Sequence, residues 1–262
     1  IAMAGVIGII RSWDIIKSAV GLASRELRGN TENVVRNVKR TQRDLSMKFI
    51  AIACIATLIL IFLFFYLGVI HTITQAVIAF IVVSVIAFLF TTVAANAIAI
   101  VGTNPVSGMT LMTLILASVI LVAVGLTGTS GMVAALIIGG VVCTALSMAG
   151  GFITDLKIGY WLGSTPAKQE TWKFLGTLVS AATVGGVIMI LNDTYGFTSE
   201  NGLAAPQANA MAAVIEPLMS GKGAPWLLYG IGAVIAVILT VFKVPALAFA
   251  LGMFIPLELN TP

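Results

Sequence analysis

The chain has 262 residues, of which 59% are apolar and 9% charged, with a net charge of +4 and a mean hydropathy of +1.09. Soluble domains carry about 25% charged residues, so this composition excludes an ordinary soluble protein. Runs such as Ile50 to Ile70 are apolar on every face, which excludes the alternating polarity of a membrane β-barrel. The sequence predicts an all-α fold, a polytopic transmembrane helical bundle that forms a single membrane domain over residues 1–262.

The first charged region, from Arg11 to Lys48, holds nine of the fourteen basic residues of the chain. Acidic residues alternate with them at near-helical spacing, which predicts one or two surface helices. Basic loops that flank spans face the cytoplasm, so residues 11–48 are predicted to form a cytoplasmic loop, and nucleic-acid binding is not indicated. The chain begins inside an apolar run and ends as another one breaks up, so we expect part of a longer protein.

The uncharged stretch from Phe49 to Thr154 can hold four spans at about 20 residues each. Four spans return the chain to its starting side, so the polar stretch Asp155–Lys173 is predicted to be a second cytoplasmic loop. A short segment from Pro206 to Ser220 is too polar for an ordinary span and is predicted to be a broken or re-entrant helix. The predicted spans, in chain order, are Met47–Ile70, Thr74–Val101, Met109–Gly125, Met132–Gly151, Trp172–Leu191 and Trp226–Phe242.

A polar break follows the second predicted span, at Gly102 to Thr110. Pro105 lacks a backbone N–H and disfavours helix in the residue before it, so the helix is expected to break here. Transporters use the backbone groups freed by broken helices to hold ions and polar substrates. The alternative is a tight loop at the membrane surface. The candidate substrate- or ion-lining residues are Asn96, Asn104, Ser107, Met109 and Thr110.

A second motif runs from Asp155 to Gln169, as DLKIGYWLGSTPAKQ. On a helix, Asp155 and Lys157 point to different sides, so each needs its own partner. Ionisable residues among spans mark proton relays and ion pathways, which makes Asp155 a candidate proton carrier or a counter-ion for a cation. The alternative is a cytoplasmic loop that Lys157 anchors at the lipid headgroups. Four residues are candidates for a gate or loop motif: Lys157, Gly159, Tyr160 and Gln169.

The third motif opens the short segment, at Pro206 and Gln207. Proline is tolerated in the first turn of a helix, and a helix N-terminus attracts anions through its free N–H groups and dipole. These two residues are therefore candidates for lining a site that takes a peptide carboxylate. The alternative is an extracellular interfacial helix.

Catalytic and metal chemistry receives little support from the residue types present. His71 is the one histidine, and it lies at the end of a predicted span. The position fits a residue that faces the lipid headgroups, and the alternative is a role in proton coupling, because histidine titrates near physiological pH. With Cys54 and Cys143 far apart, the chain cannot build a catalytic zinc site. The sequence also contains no HExxH, GxSxG or P-loop motif. We predict no enzyme activity, no metal site and no cofactor.

Three stretches in this order, NPVSGMT, GGFITDLKIGYWLGSTPAKQETWKF and APQANAM, together resemble the oligopeptide transporter (OPT) family. The resemblance is to its bacterial branch, related to the yellow-stripe-like transporters, and DLKxGYxLGxTPxKQ is its most specific pattern. It implies an integral protein of the bacterial inner membrane, a secondary transporter that is usually proton-coupled. It also implies that the missing N-terminal half would share the site.

The resemblance leaves the substrate between small peptides and metal chelates with amino-acid-like ligands. A channel would require rings of like charge or a carbonyl filter, which the sequence does not show. A membrane-embedded enzyme or a non-transport membrane scaffold is the remaining alternative. We therefore expect proton-coupled uptake of small oligopeptides by alternating access, with a metal chelate as the second choice of substrate.

Overall fold

The computed structural model describes residues 13–14, 17–18, 21, 39–70, 72–101, 106–196, 206–220, 226–242, 244 and 249. A short 3-10 turn, Arg40–Gln42, precedes the first long helix, and a π-helical turn, Phe65–Val69, continues that helix. Every regular element in these ranges is helical, which confirms the predicted all-α fold. The long elements are α1 (Met47–Phe64), α2 (Ile73–Val101), α3 (Val106–Ala123), α4 (Gly128–Leu162), α5 (Pro166–Tyr195), α6 (Pro206–Met219) and α7 (Trp226–Val241).

Within the described ranges, four apolar segments are long enough to cross a bilayer, as expected for an integral membrane protein. They are Met47–Val69, Ile73–Ala95, Gly128–Leu162 and Pro166–Tyr195. Shorter apolar helical segments lie in α3, at Met109–Ala123, and in α7, at Leu227–Val241. The hydrocarbon core of a bilayer is about 30 Å thick, and each of the first four segments is longer than that. The two shorter segments reach only about 22 Å at 1.5 Å per residue, so they can cross only where the bilayer is thinner.

Helix α4 is longer than the sequence predicted. Its 35 residues span about 52 Å at a rise of 1.5 Å per residue, so one end must project beyond the hydrocarbon. The predicted second loop, Asp155–Lys173, is therefore helical except for Gly163–Thr165. Charged residues near a membrane surface are compatible with helix, and they do not end α4. The cytoplasmic location of this hairpin stays a prediction.

The buried centre of the described region is made by α2, α3, α4 and α6, because α4 packs against α2 and α3, and α6 packs against α3. Small residues let the helices approach closely, as is common in membranes. A Cβ on Gly139 of α4 would lie 2.6 Å from the Cδ2 atom of Leu114 on α3. In contrast, α1 has no buried residue, and α5 has one, Glu170. These two helices form the periphery of the described bundle.

The turn between α3 and α4 fixes one end of the bundle. Gly125 has φ +84°, and the N–H of Leu126 donates to the carbonyl of Leu121 at 2.9 Å, a C-terminal glycine cap. The buried Met219 at the end of α6 lies against Gly131, just after this turn.

The segment predicted over 206–220 forms helix α6, whose 14 residues reach about 21 Å. Whether it re-enters the membrane stays a prediction.

Candidate functional site

The residues predicted to line a cavity fall near the limits of the described ranges. Asn104 and His71 lie outside the described residues, and the side chains of four others are not described, although α2, α3 and α6 carry them: Asn96, Ser107, Pro206 and Gln207. Thr110, in α3, is buried, and Met109 beside it is half-buried against the core. The cavity lining that these residues would form remains a prediction.

The motif from Asp155 to Gln169 folds as a tight helical hairpin. Gly163 has φ +67°, and the N–H groups of Ser164 and Gly163 donate to the carbonyls of Gly159, at 2.9 Å, and Tyr160, at 3.3 Å. These two bonds form a Schellman cap, which favours glycine at the left-handed position. Pro166 then takes the first position of α5, where proline is well tolerated. The chain therefore reverses in three residues and brings α5 back along α4.

Gly159 is the point where the two arms of the hairpin touch. It is buried, and a Cβ at this position would lie 2.6 Å from the Ser164 hydroxyl oxygen and closer still to the carboxamide of Gln169. The Ser164 hydroxyl also donates to the Gly159 carbonyl at 3.3 Å. A side chain at residue 159 would push these groups away. Two of the predicted gate residues, Gly159 and Gln169, thus meet inside the hairpin.

Farther from the turn, the hairpin arms are joined by an ion pair. The Lys173 ammonium on α5 donates to the Oδ2 atom of Asp155 on α4. The side chain of Lys173 is 21% exposed and that of Asp155 is 58% exposed. The ammonium also lies 5.4 Å from the ring centroid of Phe152, and a Cβ on Gly151 would be 3.4 Å from it. The Lys173 ammonium is therefore partly enclosed by the face of α4, whereas the Asp155 side chain is more exposed.

A cavity of about 340 Å³ opens beside this ion pair. Its lining combines an acid, a base, a carboxamide and apolar surface: Phe152, Asp155, Ile158, Gln169 and Lys173. Sequence reasoning found Asp155 and Gln169 but not Lys173. The two charged residues lie at equal distances from Ser164 along the chain, so a hairpin centred on Ser164 was the signal that would have paired them.

Lys157 and Tyr160, the other predicted gate residues, point away from this cavity. The Lys157 ammonium lies 5.8 Å from the ring centroid of Tyr160 and 5.6 Å from that of Trp161. Both rings are largely exposed, at 75% and 71%, as is the ring of Trp172 on α5. Aromatic and basic side chains of this kind concentrate at membrane–water interfaces. Their placement favours the alternative in which Lys157 anchors the hairpin at the headgroups.

The lead-in segment, Lys39–Ser46, fastens the start of α1 to the hairpin turn. The Arg40 guanidinium donates to the Gly163 carbonyl at 3.0 Å, and the Ala167 N–H donates to the carbonyl of Arg43 at 3.0 Å. The Leu45 N–H donates to the Glu170 carboxylate at 3.2 Å. Sequence reasoning missed these contacts, because no local pattern links residues that lie so far apart.

Replacing Glu170 by Ala is expected to loosen the lead-in segment. Glu170 is only 9% exposed and is the acceptor for the Leu45 N–H; a hydrogen bond to a charged group contributes about 1.5–3 kcal/mol. Trypsin cleavage after Arg40 and Arg43 should therefore accelerate by about tenfold. Asp193→Ala, at the exposed far end of α5, is the matched control. Equal cleavage rates in wild type, variant and control would show that Glu170 does not hold the segment.

Long apolar helices, with charged and aromatic residues near the α4–α5 turn, define an integral membrane protein of the polytopic helical class. The family model described as "OPT oligopeptide transporter protein" matches residues 1–262. The chain therefore belongs to the OPT oligopeptide transporter family.

A Haemophilus influenzae (strain Rd) protein named "Putative oligopeptide transporter" is 27% identical over 192 residues. The match covers 61% of this chain and 30% of that protein, so the matched segment is less than a third of the length of this curated relative. No solved structure gives a significant match.

Proposed function

We propose that the protein is a secondary active transporter that takes up small oligopeptides together with protons by alternating access. Membership of the OPT family supports transport, and the name of the Haemophilus influenzae relative supports a peptide substrate. The observation that carries proton coupling is the ion pair between Asp155 and Lys173, which joins two apolar helices beside a cavity.

The depth of the ion pair suits a proton carrier. Asp155 lies about 10 Å along α4 from its end at Leu162, and the aromatic residues Tyr160, Trp161 and Trp172 lie between the pair and the turn. If these rings lie at the interface, the pair is just inside it, at the proposed cytoplasmic face of a bacterial inner membrane. Ionisable residues at such positions in membrane proteins mark proton and substrate pathways.

The connection between the arms of the hairpin depends on the charge of Asp155. A ligand shifts a conformational equilibrium only if it interacts differently with the two states. A proton on Asp155 removes the negative charge that holds Lys173, so it weakens the attraction between α4 and α5 in the conformation with the pair formed. The Asp155 carboxylate lines the cavity beside the pair, and this cavity is the proposed path by which the proton reaches it. Asp155 is thus the proposed proton-coupling residue.

The substrate cavity is proposed to form where α3 and α6 begin. Thr110 places a buried polar residue in the first turns of α3, and α6 packs on that helix. The proposed lining is the predicted set Asn96, Asn104, Ser107, Met109, Thr110, Pro206 and Gln207. The gate is the hairpin that contains Gly159 and Gln169.

Replacing Asn104 by Leu is expected to weaken substrate binding by about tenfold, the effect of one lost hydrogen bond to a charged group. Binding of trialanine to the purified protein would be measured by calorimetry, with thermal unfolding as the check on folding. Thr92→Val, in the middle of α2, where the hydroxyl donates to the Phe88 carbonyl of the same helix, is the control. An unchanged dissociation constant would show that Asn104 does not contact the substrate and that the NPVSGM segment is an ordinary loop.

Transport itself is tested by flux into vesicles. The protein would be reconstituted in lipid vesicles and supplied with radiolabelled trialanine. We expect other tripeptides to inhibit this uptake and a nicotianamine–iron complex to leave it unchanged. Inhibition by the complex alone would assign metal chelates as the substrate, and absence of any protein-dependent flux would refute the transport function.

A further inference from the structure

We propose that the cavity beside the α4–α5 hairpin is a carboxylate-binding site, in which Lys173 exchanges Asp155 for the terminal carboxylate of a peptide when Asp155 takes up a proton. This rests on the proposed function, and it assigns recognition of the terminal carboxylate to the hairpin in place of the start of α6, at Pro206 and Gln207, which the sequence predicted for it. It makes Lys173 a binding residue as well as the partner of Asp155.

The first support is the need of Lys173 for a counter-ion. Its side chain is largely enclosed, with the ring of Phe152 on one side and the backbone of Gly151 close by. A ring face attracts a cation much less than a carboxylate does. When Asp155 becomes neutral, the ammonium is left poorly compensated, and an enclosed charge without a partner is costly. A second carboxylate in the cavity removes that cost.

The second support is the shape and chemistry of the cavity. Its volume of about 340 Å³ is at the lower end of the range for small-molecule pockets, about 300–1,000 Å³. That volume suits the last residue of a peptide. The carboxamide of Gln169 can donate to the second carboxylate oxygen, and Phe152 and Ile158 offer apolar surface to the adjoining side chain.

The third support is the placement of the other charged groups near the hairpin. Of the charged residues that the structure describes, Asp155 and Lys173 line the cavity. On α4, Lys157 is turned toward Tyr160 and Trp161. On α5, the Glu170 carboxylate accepts the Leu45 N–H, and Lys168 is exposed outside the cavity. No charged residue of the lead-in segment lines the cavity. Among the described residues, Asp155 is therefore the one carboxylate that lines the cavity with Lys173, and the proposed second partner is a molecule that enters.

The exchange is balanced over the whole cycle, and the site carries one net positive charge between proton uptake and peptide binding. A proton adds to a carboxylate oxygen of Asp155 and makes it a neutral acid, while Lys173 keeps all three of its protons. The peptide carboxylate then becomes the one negative charge beside Lys173. On release, the peptide leaves, the proton departs from Asp155 to water, and the original ion pair forms again. One proton accompanies each peptide carboxylate.

The test compares two probes that differ only in this group, trialanine and trialanine amide, as initial uptake rates into vesicles. The wild-type protein is expected to prefer the free acid by about tenfold. Lys173→Gln should bring the preference close to one, and Lys173→Arg should restore it. Lys168→Gln, a matched change on the same helix outside the cavity, should keep the wild-type preference.

A binding measurement decides the case if Lys173→Gln is inactive. Asp155→Asn mimics the protonated acid, so trialanine should raise the unfolding temperature of that variant, and the amide should not. The double variant with Lys173→Gln should show neither effect. An acid preference that survives Lys173→Gln, or equal uptake of the two probes by wild type, would overturn the carboxylate site and leave peptide transport standing. Absence of uptake of both probes by wild type would refute the proposed function itself.

Discussion

Replacement of Asp155 by Asn is expected to abolish accumulation of peptide against its gradient. Asn has nearly the same shape but carries no ionisable proton, so the variant cannot convert a proton gradient into a change in the hairpin. The accumulation ratio of trialanine should fall to about one, because transport uncoupled from protons only equilibrates its substrate. Exchange of labelled for unlabelled peptide between equal pools needs no net proton movement and should remain measurable.

The control for this prediction is Asp193→Asn. Asp193 is an exposed acid near the end of α5, far along that helix from Lys173. It tests whether the loss of any carboxylate on the hairpin arms impairs coupling. Uptake by Asp155→Asn that responds to the proton gradient as the wild type does would refute the assignment of Asp155 as the proton carrier.

Replacement of Gly159 by Ala is expected to destabilise the hairpin. The added Cβ would lie 2.6 Å from the Ser164 hydroxyl oxygen and closer still to the Gln169 carboxamide, so both side chains would have to move. Forcing an extra methyl group into a packed site costs about 1–3 kcal/mol. The variant should therefore unfold at a lower temperature in detergent, and it should also separate the helices that carry Asp155 and Lys173.

Gly176→Ala provides the matched control, because a Cβ on Gly176 in α5 would meet nothing within 4 Å. Its unfolding temperature should stay at the wild-type value or rise, since alanine favours helix by about 1 kcal/mol over glycine. If Gly159→Ala were as stable as Gly176→Ala and transported as well as wild type, the close contact between Gly159 and Gln169 would have no role in the hairpin.

The first two helices could be placed from the sequence to within a few residues. The predicted spans Met47–Ile70 and Thr74–Val101 correspond to α1 with its π-helical turn and to α2. Each is an apolar run bounded by charged or polar residues. The free energy of burying such a run in lipid outweighs the other contributions to where the span lies. Local sequence is sufficient in such a case.

The ends of α4 and α5 were predicted less well, for a physical reason. The span was predicted to stop at Gly151 because charge follows soon after, but charge sets the membrane boundary and not the helix boundary. The signals for the helix boundary were present in Gly163 and Pro166, a typical stop and start. The predicted loop Asp155–Lys173 contains both residues, because its charge outweighs these two signals in the prediction.

The site was predicted only in part, because its partners come from different elements. Asp155 could be selected from the sequence as an ionisable residue beside spans. Its pairing with Lys173 requires the hairpin, and the contact of Glu170 with Leu45 requires the lead-in segment to return to it. Neither follows from local spacing along the chain.

Proton-driven uptake tests the proposed function most directly. The protein would be reconstituted in vesicles, and radiolabelled trialanine uptake would be followed with an imposed inward proton gradient and again without one. We predict transient accumulation above equilibrium that needs the gradient and disappears when an ionophore dissipates it. Uptake that only equilibrates the peptide, at a rate unaffected by the gradient, would contradict proton coupling at the Asp155–Lys173 pair.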